Sequence, residues 1–291
     1  MNNSLFEKFI HNDFPQFQNT SFRVNEEGWD NLVYIVNEQV IFRIPRHASS
    51  RDQLRVEFHF LPQIAAVSPL PVPEYKYFSK EPGLYAGYDL LSGSPLSAQG
   101  LESCTKAQQK QIAAQTGSFL SVLHTLPIKE AALKTLPIRR QKRESWCRLR
   151  SEVLDKGAAY LAAAHRKKIG DIFTFILDEI DFDHLPKALI HGDFSADHIL
   201  FDEADKRISG VIDFGDLMIG DPAYDFTGIL LEYGRDFMDD VLAQYEPKHD
   251  EKFLERIERF YLPKVPLHSL LFGIEQGNEG MISQALDRLV S

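Results

Sequence analysis

Cysteine is scarce in this sequence of 291 residues, which contains only Cys104 and Cys147. The two lie far apart and form neither a CxxC motif nor a Cys/His cluster, which argues against a disulfide framework and a structural zinc site. No run approaches the roughly 18 apolar residues of a membrane-spanning helix, and the start MNNSLFEKFIHNDF lacks the features of a signal peptide. We therefore expect a cytoplasmic protein with no membrane partner.

Positive charge is also in deficit, with 32 Lys and Arg against 42 Asp and Glu and a formal net charge of -10. This balance disfavours the phosphate backbone of a nucleic acid as a partner and mildly favours cations. One basic run, RRQKR at 139–143, has the composition of a nucleic-acid patch, but it leads into a helical pattern and is interpreted as a solvated helix face. No nucleic-acid partner is predicted.

The N-terminal part of the chain is rich in strand patterns. Two β-rich runs, at 32–36 and 40–44, flank a turn-like segment and predict a hairpin. A short helical segment that contains Glu57 follows. A further strand then ends in a Gly/Ser/Pro connector, which predicts a hinge near 88–95.

The rest of the chain is predominantly helical in pattern. The spacing of apolar residues predicts a core helix within 101–126 and two amphipathic helices within 138–180. With 44% hydrophobic residues the chain has enough apolar material for one large domain or two lobes. We predict an α+β protein with a small strand-rich N-terminal lobe at 1–92 and a helical C-terminal lobe at 93–291.

One short span carries three side chains suited to phosphoryl transfer. Asp193 lies in HGDFSADHILF, which directly follows the apolar KALI, and His198 lies five residues after Asp193. Asp213 follows ISGVI and begins DFGD. Phosphoryl transfer needs metal ions and a cation on the phosphates and a carboxylate that orients the attacking hydroxyl. Each motif alone is weak, and a His beside IL is more often a core residue. Their joint occurrence in kinase order favours a phosphotransferase.

These residues resemble the antibiotic phosphotransferases of the aminoglycoside and macrolide kinase group, a branch of the protein-kinase-like fold. The stretch HGDFSADHILFDEADKRISGVIDFGDLMIGDPAYDF carries the likeness, which extends over nearly the whole chain. His198 resembles the aminoglycoside 2''- and macrolide 2'-phosphotransferases, whereas the 3'-enzymes carry Asn there. The resemblance implies a two-lobed kinase-like fold and phosphorylation of an antibiotic hydroxyl, an antibiotic-resistance activity, and we expect a monomer.

The resemblance also implies roles for individual residues. Asp193 is expected to be the catalytic carboxylate, and His198 and Asp213 are expected to bind Mg²⁺. Arg43 and Glu57 are expected to form the ion pair that positions the nucleotide phosphates. Kinases and the aminoglycoside enzymes usually carry Lys at the position of Arg43, whereas the macrolide enzymes resemble this chain.

The same resemblance implies a nucleotide site at the hinge. Tyr88 is expected beside the base, with the backbone of Asp89 and Leu91 in hydrogen-bonding range of its edge. The apolar walls are expected to be Ile41, Leu200 and Ile212. Because members of both subfamilies favour or accept GTP, GTP is the expected donor and ATP the alternative.

The acceptor class depends on segments that differ between the two subfamilies. DFSADHILFD and IDFGD resemble the 2''-aminoglycoside enzymes, whereas VNEEGWD, FRIPR and LLFGIEQGNEGMISQALDRL resemble the macrolide enzymes. After DPAYDF the aminoglycoside enzymes carry a dense acidic cluster, but this chain has TGILLEYGRDF. An aliphatic wall with few carboxylates fits a macrolide. The expected acceptor contacts are Asp193, Leu231, Glu232 and Phe272, with Leu270 and Leu271 on the same wall, although such leucines equally suit a core helix.

Other interpretations stay open at this point. An aminoglycoside 2''-phosphotransferase or a metabolic small-molecule kinase would use the same fold. Intact Asp193 and Asp213 argue against a non-catalytic nucleotide-binding module, and the lack of an APE motif after DFG argues against a protein kinase. Asp221 and Asp225 of DPAYD are interpreted as structural, bracing the catalytic loop. Ser195 is equally suited to a phosphate contact or a turn.

Overall fold

The computed structural model of the protein describes residues 3–17, 21–25, 30–80, 85–127 and 142–290. The turn around Gly28 and most of the basic run at 139–143 lie outside these residues. A strand-rich N-terminal region precedes a helical C-terminal region. The predicted α+β, two-lobed architecture is confirmed.

The strands are β1 (Phe22–Asn25), β2 (Asn31–Val36), β3 (Val40–Pro45), β4 (Tyr75–Phe78), β5 (Ala86–Asp89), β6 (Ser94–Pro95), β7 (Ala188–Ile190), β8 (Ile199–Asp202), β9 (Arg207–Val211) and β10 (Met218–Gly220). The helices are α1 (Asn3–Asp13), α2 (Ala48–Ala65), α3 (Ala98–Glu102), α4 (Lys106–Thr125), α5 (Arg143–Lys156), α6 (Ala163–Glu179), α7 (Phe226–Leu242), α8 (Phe253–Glu255), α9 (Lys264–Gln276) and α10 (Glu279–Val290). A π-helical turn, Arg256–Tyr261, follows α8. Among the described helices, none combines the length and apolar character needed to cross a membrane.

The N-terminal region is built on an antiparallel five-stranded sheet with the order β1-β2-β3-β5-β4. The predicted hairpin is confirmed as β2 and β3, which pair from Asn31 opposite Pro45 to Val36 opposite Val40. Asn37 and Glu38 in its turn both have positive φ angles, 54° and 53°, as the tight turns that suit the twist of a hairpin require.

Aromatic side chains form the core on one side of this sheet. The ring of Phe6 on α1 stacks on Tyr34 of β2 at a centroid distance of 3.8 Å. Phe42 of β3 and Tyr85 meet Phe6 edge-on. This cluster holds α1 on the sheet. Helix α2, which carries Glu57, confirms the helical segment predicted after the hairpin.

The chain leaves the five-stranded sheet after Asp89 and enters the next sheet at Ser94, inside the predicted hinge segment. There β6 pairs with β8, and β8 pairs with β9. Gly93 between them has a φ of 118°, and a side chain at this position would approach the Phe201 carbonyl oxygen within 2.9 Å. Glycine is therefore required where the backbone turns against β8.

The C-terminal region packs its helices around one apolar core. The core helix predicted within 101–126 is present, but it is divided into α3 and α4. The division arises because Thr105 and Gln108 form a capping box, in which each side chain satisfies a backbone N–H of the other, and this starts a new helix. Ile112 and Phe119 of α4 are buried as predicted.

An ion pair lies inside this helical core. Asp221 accepts hydrogen bonds from Arg256 Nε at 2.6 Å and from the Tyr261 hydroxyl at 3.0 Å. Both charged side chains are at most 5% exposed. The two carboxylates Asp221 and Asp250 raise the pKa of Arg256 despite its burial, so the guanidinium stays charged. The pair joins the segment before α7 to the π-helical turn.

We predict that Arg256→Ala lowers the free energy of unfolding by about 3 to 5 kcal/mol, because it leaves the buried Asp221 carboxylate without its cation. The matched control is Arg55→Ala, which removes an exposed partner of Asp52 and should cost at most about 1 kcal/mol. Urea unfolding of both variants measures the difference. Equal losses of unfolding free energy in the two variants would show that the buried pair stabilises the fold no more than an exposed one.

Candidate active site

The catalytic loop predicted from the sequence starts directly after β7. Gly192 has a φ of 85°, and a side chain there would meet the Asp216 carbonyl oxygen at 2.2 Å. Only glycine allows the loop to run this close to the segment after Asp213. Asp193 follows with its side chain 56% exposed. The loop therefore presents a carboxylate to the cleft, as predicted.

A buried carboxylate holds this loop in place. Asp225 accepts hydrogen bonds from the backbone N–H of His191 at 2.8 Å and of Gly192 at 3.0 Å. Its Oδ2, which accepts from His191, also lies 3.0 Å from His124 Nε2 on α4. Asp225 is 1% exposed. These contacts agree with the bracing role expected from DPAYD. Asp221 also has a structural role, because it pairs with Arg256 inside the helical core.

His191 links the catalytic loop to the segment that carries Asp213. Its Nε2 lies 3.0 Å from the Ile212 carbonyl, which can only accept, so Nε2 carries the proton. Nδ1 is then free to accept from the backbone N–H of Asp193 at 3.3 Å. Complete burial lowers the pKa of His191, which keeps the ring neutral in this arrangement. Sequence reasoning did not assign this role to the His of HGD.

His198 and Asp213 face each other across the cleft. His198 Nδ1 donates to the Asp193 carbonyl oxygen at 2.7 Å, which leaves Nε2 as the ring nitrogen available to a cation. That atom lies 3.6 Å from Asp213 Oδ2. A ring nitrogen fixed in this way by a backbone carbonyl is typical of metal-binding histidines. One cation can contact both atoms at this separation.

Asp213 itself sits in an uncommon backbone conformation, with φ 61° and ψ 67°, which Asp tolerates better than most residues. Desolvation alone would raise the pKa of its carboxyl, but the positive charge of Arg43 holds it below its ordinary value. The carboxylate is thus ionised. Among the described residues, no three His, Cys, Asp or Glu side chains are grouped to hold a metal ion by themselves.

The predicted ion pair of Arg43 and Glu57 is formed. One guanidinium nitrogen of Arg43 donates to both Glu57 oxygens, at 3.1 and 2.8 Å. The other donates to Asp213 Oδ1 at 3.2 Å. Burial disfavours a charged guanidinium, yet the Glu57 carboxylate raises the pKa of Arg43 well above its ordinary value. Tyr75, which sequence reasoning missed, also donates to Glu57, at 2.9 Å.

The residues expected around a nucleotide base lie at the junction of the sheets. Tyr88 is 5% exposed and packs edge-on against Tyr75 at 5.3 Å. The side chain of Asp89 is directed to Lys76, at 2.6 Å, and away from this core. Leu91 lies beside Gly210, where a side chain would approach it within 3.1 Å. Of the three wall residues, Leu200 is buried, and Ile41 and Ile212 are half-buried.

A cavity of about 530 Å³ opens beside Asp193. Its walls come from the catalytic loop, the start of α7, the π-helical turn and α9. The lining residues are Gly192, Asp193, Phe194, Ser195, Tyr224, Thr227, Gly228, Leu231, Tyr261, Lys264, Val265, His268 and Ser269. Asp193 and Leu231 are thus brought together as predicted, and Ser195 borders the same space.

Two other expected acceptor contacts do not line this cavity. Glu232 accepts from the backbone N–H of Ala98 at 3.2 Å, at the start of α3. Phe272 lies on the far part of α9 and is 39% exposed. The proposed extension of the wall by Leu270 and Leu271 is wrong, because both are buried in the core at 0% and 7% exposure. Helical periodicity identified an apolar face but not what it packs against.

Sequence reasoning missed the polar residues of the cavity. Thr227 on α7 and Lys264, His268 and Ser269 on α9 belong to no recognised motif. The spacing of Lys264 and His268 was the one available signal, because residues at i and i+4 fall on one face of a helix. That face could be assigned to the active site only once the packing of α9 was known.

Comparison with known proteins identifies phosphotransferases as relatives of this chain. The model of the phosphotransferase enzyme family, abbreviated APH, matches residues 21–261. The viomycin phosphotransferase of Streptomyces vinaceus is 40% identical over 62 residues, which are 21% of this chain and 22% of that protein. This match therefore spans only about a fifth of the relative's length.

Solved structures are similar over nearly the whole chain. The complex of APH(2")-IIia with GDP and kanamycin has a TM-score of 0.84 and 25% identity, and the similarity covers 98% of this chain and 97% of that one. A macrolide 2'-phosphotransferase type I has a TM-score of 0.69 and 21% identity, covering 100% and 98%. The second likeness shows the kinase-like fold alone. Since the family model matches residues 21–261, which include all three described sheets and the entire segment from Asp193 to Asp213, the chain belongs to the APH phosphotransferase enzyme family.

Proposed function

We propose that this protein transfers the terminal phosphoryl group of a nucleoside triphosphate to a hydroxyl group of a small molecule, with Asp193 as the catalytic carboxylate. The observation that carries the proposal is the convergence of Asp193, His198, Asp213 and Arg43 on one cleft, with His198 in contact with both carboxylates at 3.6 Å. In this role Asp193 accepts a hydrogen bond from the acceptor hydroxyl and orients its oxygen for attack.

The donor set suits a magnesium nucleotide. Mg²⁺ is usually held by one or two carboxylates together with substrate phosphates, so a complete protein cage is not required. Asp213 and His198 are the residues that would hold it, and the ion would neutralise charge on the transferred phosphoryl group. Imidazole is a softer ligand than a carboxylate but a workable one. Arg43, held by Glu57 and Tyr75, supplies a fixed positive charge for the phosphates.

GTP is the proposed donor, and ATP the alternative. The proposal rests on the family resemblance at the hinge and on the similar APH(2")-IIia structure, which was solved with GDP. Tyr88, the backbone of Asp89 and Leu91, and the apolar residues Ile41, Leu200 and Ile212 form the proposed base site.

For the acceptor we propose a macrolide, phosphorylated on its 2'-hydroxyl. An aminoglycoside carries several ammonium groups, and an unpaired charged group in a partly desolvated site costs about 1 to 3 kcal/mol or more. The cavity beside Asp193 has that residue as its single lining carboxylate among the described residues. Leu231, Val265 and the ring of Tyr224 offer apolar area instead.

Two observations favour other acceptors. The APH(2")-IIia structure, with the higher TM-score and identity, contains kanamycin, which favours an aminoglycoside 2''-phosphotransferase. Lys264 and His268 line the cavity, which favours a metabolic small-molecule kinase whose acceptor is neutral or anionic. The shared chemistry of Asp193 is the same in all three cases.

We predict that Asp193→Asn lowers kcat by about 10² to 10⁴, because the amide cannot accept the hydroxyl proton, while nucleotide binding persists. Asp197→Asn is the matched control, since Asp197 is an exposed carboxylate on the same loop. Steady-state kinetics and nucleotide titration measure both properties. Turnover of Asp193→Asn at the level of the control would remove Asp193 from the mechanism.

We also predict that His198→Ala and Asp213→Asn each weaken binding of the magnesium nucleotide. The effect of Asp213→Asn should be larger, because this change removes a charge as well as a ligand. Calorimetric titration of GTP with and without Mg²⁺ into each variant and into Asp197→Asn provides the measurement. If the magnesium dependence of both site variants matched that of the control, these two residues would not be the metal ligands.

The acceptor class is tested with a panel of erythromycin, kanamycin and gentamicin, each incubated with GTP or with ATP. We expect a phosphorylated erythromycin product by mass spectrometry and at least as much turnover with GTP as with ATP. Kanamycin or gentamicin product without erythromycin product would assign the aminoglycoside class. A clear preference for ATP would contradict the proposed base site.

A further inference from the structure

Thr227 is a buried residue with a hydroxyl side chain. It lies on the first turn of α7 and is 7% exposed. Its Oγ1 has no hydrogen-bond partner among the described residues. Buried threonines of α4 behave differently, because Thr116 Oγ1 donates to the Ile112 carbonyl at 2.9 Å. An unmet hydroxyl inside a protein is destabilising and calls for a partner that is added later.

Thr227 belongs to the wall of the active-site cavity. It lines the same space of about 530 Å³ as Asp193. A ligand in this cavity therefore lies next to both residues. The orphan atom and the catalytic carboxylate are independent observations that indicate the same ligand site.

The position of Thr227 relative to the catalytic loop is tightly held. A side chain on the next residue, Gly228, would meet the Phe194 carbonyl oxygen at 2.2 Å, so the first turn of α7 lies directly on the loop. Asp225, two residues before Thr227, accepts the backbone N–H groups of His191 and Gly192. Both contacts prevent α7 from moving independently of Asp193.

We propose that Thr227 is an acceptor-binding residue, whose hydroxyl forms a hydrogen bond with an oxygen atom of the acceptor close to the hydroxyl that is phosphorylated. This inference rests on the proposed phosphotransferase function and deepens it. A threonine hydroxyl can both donate and accept, so it suits a hydroxyl, ether or carbonyl oxygen. Lys264 on the same wall disfavours an ammonium group as the partner.

The test compares Thr227→Val with Thr227→Ser. Valine keeps the shape of threonine but has no hydroxyl, so we expect KM for the acceptor to rise roughly 3- to 30-fold. KM for the nucleotide and the acceptor-independent hydrolysis of the nucleotide should stay unchanged. The melting temperature should stay the same or rise, because a buried unpaired hydroxyl has been removed. Thr227→Ser should restore acceptor binding.

Thr116→Val is the matched control, since it removes a buried threonine hydroxyl that already has a partner inside its own helix. This variant should lose some stability and keep its KM for the acceptor. If Thr227→Val behaved in the same way, Thr227 would be a structural residue and the inference would be overturned. An unchanged acceptor KM in Thr227→Val would overturn it as well, and would leave the proposed function intact.

Calorimetry in an Asp193→Asn background separates this inference from the proposed function. The titrated compounds are erythromycin and kanamycin with GDP present. Weaker binding by the double variant with Thr227→Val supports the Thr227 contact, even if the wild-type protein yields no phosphorylated product. Equal binding by both forms overturns the contact. Absence of binding to every compound, together with absence of product, overturns both the contact and the proposed acceptor class.

Discussion

The geometry of the active site depends on the buried carboxylate of Asp225. An ionised carboxylate removed from water is strongly destabilising unless donors surround it. Asp225 obtains them from the backbone of His191 and Gly192 and from His124 on α4. Its hydrogen bonds therefore join the catalytic loop, α4 and the start of α7 into one unit. Displacement of the loop or of α4 would remove part of the hydrogen bonding of this carboxylate.

His191 extends this unit to the other half of the site. Its backbone is held by Asp225, while its ring donates to Ile212, the residue before Asp213. The proposed catalytic carboxylate and the proposed metal ligand are thus connected through one neutral imidazole. Arg43 closes the arrangement from the N-terminal sheet, because it contacts both Glu57 and Asp213. The two lobes therefore meet at charged groups, and bound phosphates and a cation would contact the same groups.

Much of this arrangement could be predicted from the sequence, but only where the signal was local. The hairpin of β2 and β3 and the loop that carries Asp193 follow from residue patterning and from motif spacing. The hydrogen bond from Tyr75 to Glu57 and the position of Thr227 in the cavity wall could not be predicted. Both depend on which elements pack together across the whole chain. The error at Leu271 has the same origin. An apolar helix face looks identical in sequence whether it lines a ligand cavity or the protein core.

The net charge of the chain and the charges that line the cavity predict different kinds of ligand, and the cavity charges are the better guide. The overall charge of -10 mildly favours a cationic partner. At physiological ionic strength, however, exposed charges are screened beyond about 8 Å, so an acceptor inside the cavity interacts mainly with its lining. That lining contains one carboxylate, Asp193, and also Lys264. If Asp193 binds the reacting hydroxyl, as proposed, the rest of the wall has to recognise the acceptor through hydroxyl groups and apolar area.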